Sequence, residues 1–336
     1  MKFLICGLGS IGERHLNNLL TFDERDVIAY RKRGLPLRYV KKNIPIFSNI
    51  DDALSQKPDI ALITNPTKYH IPTALKLAQH GCHLFIEKPL SNNLQGIEKL
   101  SKLQKTKKIK IFIGFMMRYH PAAIEIKKWL DKKIIGTPLS INLTCGENLA
   151  LWHPWENYQD SYAANKELSG GIHFTLCHEI DLLCWYFGFP QSLYSLQGKK
   201  STKVKTTTEH SLEVLFKFKN NMSAHLHLDI IKNPPKRIWE FTGDQGWIEF
   251  DYITNKLKLF RSKRKLLRYN ENEIDFSDRF QRNDMFVNEL KMFINTVKSN
   301  KDSHIPLTVG IDNLRILIAI EKSLKEKKPV TLKQIR

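Results

Sequence analysis

At 336 residues, with 42% hydrophobic side chains, the chain is long enough for two domains with cores of their own. Its 53 Lys and Arg against 34 Asp and Glu leave a formal charge of +19, which favours an anionic partner; the charge is spread rather than gathered on a basic helix with interleaved aromatics, so no nucleic acid is expected. Five cysteines without framework spacing suit a reducing cytoplasm, and no apolar run reaches the ~18 residues of a membrane span.

The first twelve residues set the frame. Phe3-Leu4-Ile5-Cys6 is an apolar run of strand length, followed at once by Gly7-Leu8-Gly9-Ser10-Ile11-Gly12. Three glycines at this spacing, between a strand and a helix, suit a turn that binds the phosphates of a dinucleotide. The first glycine permits a tight turn, the second lets the backbone approach a pyrophosphate, and the third allows close packing of the helix. Free N–H groups of the first helical turn, at Ser10 and Ile11, then face the phosphates. Ile11, His15, Leu16, Leu19 and Leu20 recur with a period near 3.6 residues and mark that helix.

A second strand at 27–30 ends in Arg31-Lys32-Arg33, where an acidic residue would bind a ribose 2′-hydroxyl. Arg31 and Lys32 attract a 2′-phosphate instead, so NADP is the expected cofactor, with NAD as the alternative. Strands at 60–63, 83–86 and 109–115 alternate with helices at 70–80 and 97–104. This alternation predicts α/β architecture, a doubly wound parallel sheet forming a first domain of residues 1–117.

Past residue 117 the grammar changes. A helix at 121–130 and an alternating strand at 139–145 precede an aromatic loop at 152–162. A helix is expected at 172–187, then strands at 212–218, 224–230, 238–242 and 247–251 with no helices between them. These predict a C-terminal α/β domain, residues 118–336, with an open and mostly antiparallel sheet. Helices follow at 284–298 and 309–325, the last free to pack back on the first domain. The basic run at 261–268 is the expected low-order segment.

In combination these motifs resemble the Gfo/Idh/MocA oxidoreductase family, over essentially the whole chain. The carrying features are the glycine loop, Asn65-Pro66-Thr67 with His70, Glu87-Lys88-Pro89, Gly170-Gly171 before His178-Glu179-Ile180-Asp181, and the turn Gly243-Asp244-Gln245-Gly246. The loop Trp152-His153-Pro154-Trp155-Glu156-Asn157-Tyr158, with Ser161-Tyr162, is similar to a branch serving bacterial surface-sugar and nonulosonic acid pathways. The resemblance implies an N-terminal Rossmann domain and a second domain whose sheet joins subunits into a homodimer or homotetramer. It implies hydride exchange between a nicotinamide and a carbon of a sugar-derived substrate, with Asn65, Pro66, His70, Glu87 and Lys88 lining the cofactor. It makes Lys88 the lysine beside the reacting oxygen and His178 the general acid/base. Many relatives carry an acidic residue three or four positions before that histidine; here Thr175 and Phe174 stand there.

The chemistry suits those residue types. An ammonium at Lys88 stabilises charge developing on a carbonyl oxygen, and an imidazole at His178 shuttles one proton near neutrality. Thr175 lies one helical turn before His178, and its hydroxyl is read as placing substrate. Trp155, Tyr158 and Tyr162 offer rings to a sugar face and His153 a hydrogen bond to its hydroxyls. Arg118 can grip a carboxylate or phosphate with both arms, with His120 beside it. His173 and Asp181 complete the candidate substrate contacts, Asp181 also as a partner for His178. His173, Cys177 and His178 lack the fourth ligand of a zinc site, so no metal is expected. His225, His227 and Asp229 alternate on one strand face that is read as solvated or packed. The expected function is an NAD(P)-dependent oxidoreductase of an anionic, sugar-derived substrate, nucleotide-linked or a nonulosonic acid. A redox-recycling epimerase or glycosidase and a non-catalytic dinucleotide- or sugar-binding protein are the rival readings.

Overall fold

The computed structural model describes residues 1–22, 26–32, 34, 37–38, 43–152, 157–168, 170–262 and 269–335. The chain forms two compact units, Met1–Met116 with Asn283–Leu314, and Met117–Arg282 with Arg315–Arg336.

The first unit is built on six parallel strands: β1 (Phe3–Cys6), β2 (Val27–Tyr30), β3 (Ile46–Phe47), β4 (Ile60–Ile63), β5 (His83–Glu87) and β6 (Ile111–Gly114). Their order is β3-β2-β1-β4-β5-β6. Every residue of β1, β4 and β6 is buried. Strands covered on both faces read as unbroken apolar runs, which is why these three were plain in the sequence. Helices α1 (Ser10–Thr21), α2 (Ile50–Ser55), α3 (His70–Gln79) and α4 (Ile97–Thr106) make the crossovers. The sheet reverses its winding between β1 and β4, where doubly wound sheets bind ligands.

Helices α5 (Pro121–Asp131), α6 (Ile172–Thr175) and α7 (His178–Phe187) lie in the second unit. Its sheet has nine strands: β7 (Pro138–Gly146), β8 (Ser192–Gln197), β9 (Ser211–Lys217), β10 (Ser223–Asp229), β11 (Lys236–Gly243), β12 (Gly246–Asp251), β13 (Lys256–Ser262), β14 (Tyr269–Asp275) and β15 (Val330–Thr331). The order is β14-β13-β12-β11-β7-β10-β9-β8-β15, antiparallel except for the β7–β10 pair. Burial alternates along each central strand; in β9, Leu212, Val214 and Phe216 are buried while Leu215 is 54% exposed. One face is therefore core and the other lies open. Helix α8 (Arg282–Ser299) and helix α9 (Leu307–Glu326) follow, with residues 283–314 counting in the first unit. There the Ile113 N–H donates to the Ile305 carbonyl at 3.0 Å.

Two expectations change. The helix expected at 172–187 is two helices, because the backbone leaves helical geometry at Leu176 (φ −102°, ψ 39°) before α7 begins at His178. The basic run at 261–268 starts inside strand β13, and its residues 263–268 lie outside the described ones. Strands β13 and β14 were missed because their outer positions are charged, Lys256 and Glu273 pairing at 2.9 Å while Leu257 and Leu259 turn inward.

Candidate functional site

The glycine loop joins β1 to α1, and each glycine meets a different constraint. Gly7 has φ +107°, and a Cβ there would lie 2.7 Å from the Asn65 nitrogen. A Cβ on Gly12 would fall 2.0 Å from the Gly7 carbonyl oxygen. Gly9, by contrast, is exposed, and a Cβ on it would meet nothing within 4 Å. The space beside Gly9 is thus left open while the loop around it is tightly built. Thr64 at the end of β4 fastens the loop, its hydroxyl donating to the Gly7 carbonyl at 2.6 Å. Gly9 caps α1 without any side-chain hydrogen bond, so the N–H groups of Ser10 and Ile11 in the first turn keep their donors for an anion. A pyrophosphate fits this cradle. Arg31 and Lys32 stand just past β2, the Arg31 N–H donating to the Phe47 carbonyl; Arg33 lies outside the described residues.

Asn65 and exposed Pro66 follow β4. The Asn65 amide donates to the Thr73 hydroxyl at 2.9 Å. His70, 2% exposed at the start of α3, has Nε2 2.8 Å from the Asn65 carbonyl and Nδ1 2.9 Å from the Pro89 carbonyl. Both ring nitrogens are engaged, so His70 acts as a clamp between two loops of the candidate cofactor site rather than offering a free ring atom. Burial pushes its pKa below the ordinary value, although both carbonyls oppose the shift. A neutral ring holds one N–H and donates to one carbonyl at a time. Glu87 ends β5 facing inward, its Oε1 2.8 Å from His15 Nε2 and its Oε2 accepting from the Lys88 N–H at 3.2 Å. Half-buried Lys88 and buried Pro89 follow directly. Lys88 is therefore set by its neighbours on both sides, Glu87 behind and the His70-bound carbonyl ahead.

In the second unit, His178 opens α7 and is 5% exposed, and Thr175 closes α6 at 6%. The break at Leu176–Cys177 puts them on separate helices, so they do not share a helical face as expected. Asp181 does not pair with His178. It accepts from Arg118 Nε at 2.8 Å and Nη2 at 2.7 Å, in a pair whose side chains are 1% and 11% exposed. Burial opposes the Arg118 charge, but Asp181 raises its pKa overall. The fork expected to grip a ligand anion is occupied by an internal carboxylate. His120 is also a correction: it is 0% exposed and caps α5, its Nδ1 accepting from the Ala122 N–H. Packed on Phe250, Tyr252 and Phe280, with Arg237 nearby, its pKa is pushed down to about 3 by burial and that charge. His120 stays neutral in the core.

His173 is 1% exposed, held at about 4 chiefly by burial, with Nε2 3.9 Å from Glu321. Tyr158 and Tyr162 are half-buried in short 3-10 turns, and the Tyr158 hydroxyl accepts from the Lys205 N–H at 3.1 Å. His153 and Trp155 lie outside the described residues. Near Tyr158 the second unit holds a cavity of about 510 Å³, lined in part by Lys200, Lys205, Thr206, Thr207 and His210. The run Lys199-Lys200-Ser201-Thr202-Lys203 was its only signal in sequence, and it reads as a solvated loop. On the open sheet face His227 bridges Glu213 and Asp229, at 2.6 and 2.9 Å, and His225 meets Glu213 at 2.8 Å.

Comparisons with known proteins agree with this architecture. A family model described as an oxidoreductase family with an NAD-binding Rossmann fold matches residues 1–115, and the GFO/IDH/MocA C-terminal domain matches residues 123–249. The chain is 25% identical to a myo-inositol 2-dehydrogenase of Thermotoga maritima, covering 100% of this chain and 99% of that protein. It is 31% identical to an inositol 2-dehydrogenase/D-chiro-inositol 3-dehydrogenase of Lacticaseibacillus casei, across 55% of this chain and 52% of the other. Among solved structures, levoglucosan dehydrogenase in complex with NADH gives a TM-score of 0.86 at 16% identity, covering 100% of both chains. The WlbA dehydrogenase from Bordetella pertussis, in complex with NADH and UDP-GlcNAcA, gives 0.81 at 17% identity over 98% of each. At these identities the two structures establish the fold.

Proposed function

The chain belongs to the Gfo/Idh/MocA oxidoreductase family, and on that footing we propose that it is a nicotinamide-dependent oxidoreductase of a sugar-like substrate. The glycine loop carries this reading. It is rigidly built at Gly7 and Gly12 and vacant beside Gly9, as a backbone that receives a pyrophosphate must be. Bound there, the dinucleotide supplies the hydride acceptor or donor.

The roles of the chain's own residues follow from their chemistry. Lys88 places an ammonium at the reacting oxygen and stabilises charge as the carbinol becomes a carbonyl. His178 takes the hydroxyl proton on a ring nitrogen and returns it in the reverse direction. Thr175 holds a substrate hydroxyl. Arg31 and Lys32 favour the 2′-phosphate of NADP over the bare ribose of NAD. The substrate is anionic, a nucleotide-linked sugar or a nonulosonic acid, and a cavity bearing Lys200 and Lys205 supports that choice. Assembly is through the outer face of the nine-stranded sheet, as a homodimer or homotetramer, supported by exposed Leu196 and Leu215.

NADPH and NADH are titrated into the purified protein by nicotinamide fluorescence, then a panel of inositols, keto-sugars, nucleotide sugars and nonulosonic acids is followed at the nicotinamide absorbance. Tight NADPH binding and turnover of an anionic panel member are expected. Failure to bind either dinucleotide would overturn the assignment, and equal affinity for the two would overturn the role of Arg31.

A further inference from the structure

We propose that His15, Glu87 and Glu289 form a buried site for one divalent cation of the zinc, manganese or ferrous class. The three side chains come from α1, the end of β5 and α8, and all three belong to the first unit. His15 and Glu289 are 0% exposed and Glu87 is 7% exposed. One donor atom from each lies within 4.8 Å of the others.

Glu289 is the observation that asks for an ion. Neither of its carboxylate oxygens has a hydrogen-bond partner among the described residues, although the group is fully buried. The His15 ring of the same cluster lies among aromatics, edge-on to Phe85 and Phe286, and Phe85 packs on Phe293. Among the described residues, His15 is the only group of possible positive charge within ion-pair distance of either carboxylate, and it is spent on Glu87 at 2.8 Å. An unpartnered carboxylate in such a place is strongly disfavoured unless it is protonated or meets a cation.

The donor set itself points to a cation, since one ligating atom from each of the three side chains converges on the same buried place. Donors about 2.0–2.4 Å from one ion lie up to about 4.8 Å apart, and the three donor atoms fall within that limit. His15 offers one imidazole nitrogen, Glu87 and Glu289 one carboxylate oxygen each, and one divalent ion balances the two carboxylates. A mixed imidazole and carboxylate set suits a borderline ion better than calcium. Glu87 Oε2 already accepts the Lys88 N–H, the kind of outer hydrogen bond that orients a ligating carboxylate. The ion would thereby fix the backbone of Lys88, a positioning role that rests on the function proposed above; the site itself does not.

Metal content of the purified, dialysed full chain is measured by inductively coupled plasma mass spectrometry, beside that of Glu289→Gln and His15→Ala. The wild-type chain is also refolded from denaturant with EDTA, or with zinc or manganese chloride, and its melting temperature recorded. About one equivalent of metal per chain, depleted in both variants, and a higher melting temperature with metal are expected. Substoichiometric metal with melting indifferent to each ion would overturn the proposal, and so would a full equivalent retained in both variants. Fluorescence titration of NADPH on the same samples separates the readings. A wild-type chain that binds metal but no dinucleotide keeps the site and loses the oxidoreductase.

Discussion

Asp181 and Arg118 face each other through two parallel hydrogen bonds, at 2.8 and 2.7 Å, and neither side chain is more than 11% exposed. They tie α7 to the short turn that precedes α5. Removing one partner leaves a buried charge unpaired. Asp181→Ala should therefore lower unfolding free energy by about 3–5 kcal/mol in urea. A change below about 1 kcal/mol would mean that the pair is hydrated in solution.

The glycine loop separates stability from binding. Gly12→Ala puts a methyl 2.0 Å from the Gly7 carbonyl, so the loop must shift and the melting temperature should fall by several degrees. Gly9→Ala meets nothing within 4 Å and should keep stability within about 1 kcal/mol. It should nonetheless weaken NADPH binding by at least about tenfold, since the methyl enters the space reserved for the pyrophosphate. Equal NADPH affinity in Gly9→Ala and wild type would place the phosphates elsewhere.

His70 joins two loops through carbonyls it does not share with any other described side chain. His70→Leu removes the one N–H that the neutral ring donates to either carbonyl, with an expected loss of about 1–3 kcal/mol. Dinucleotide affinity should fall as well, because the Asn65 and Pro89 segments are no longer linked. Isothermal titration beside thermal melting reads both. A variant that melts lower yet binds NADPH unchanged would confine His70 to stability.

Two sets of histidines carry opposite pH signs. His120 near 3 and His173 near 4 are neutral in the fold but gain protons when unfolded below about pH 6.5. Their folded pKa values lie under the unfolded one, so stability falls as pH drops from 6.5 toward 4, by up to about 1.4 kcal/mol per pH unit for each. Asn is an excellent helix cap, so His120→Asn should keep α5 and flatten this slope in urea melts. An unchanged slope would show that His120 is not among the groups titrating.

His227 works the other way. Its hydrogen bond to Asp229, aided by Glu213, raises its pKa above the ordinary value despite partial burial. Its contribution is present below the unfolded pKa and is lost as pH rises through the raised one. His227→Gln should therefore be more destabilising at pH 5.5 than at pH 9. The reverse order would show that the imidazolium is not what the two carboxylates hold.

What could be read from sequence follows from how each element is covered. Strands β1 and β4 are enclosed on both faces, and the glycine spacing fixes the turn between β1 and α1, so these elements were legible, whereas the two-residue strand β3 and the short helix α2 were not. Strands β9 to β12 announced themselves by alternation. Strands β13 and β14 did not, because an outer face of Lys and Glu looks like a polar loop until their pairing is known. Arg118 was read as a fork for a substrate anion, but the carboxylate it takes is that of Asp181, 63 residues further along, which nothing local names. The break between Thr175 and His178 was hidden because Leu176 and Cys177 carry no Gly or Pro. Chemistry was visible in the types of residue, whereas partnership depended on distances that only folding creates.

The sheet of the second unit also governs how it can meet another copy. At one border stands β15, two residues long, which pairs with Ser192 and Leu193 at the start of β8. At the other stands β14, whose exposed Glu271, Glu273 and Asp275 would face like charges in any antiparallel self-pairing. Short or charged borders are how natural sheets refuse an added strand. Ribbon-like growth, strand after strand across molecules, is closed off at both sides. Lateral fusion into a continuous intermolecular sheet is thus denied to this protein.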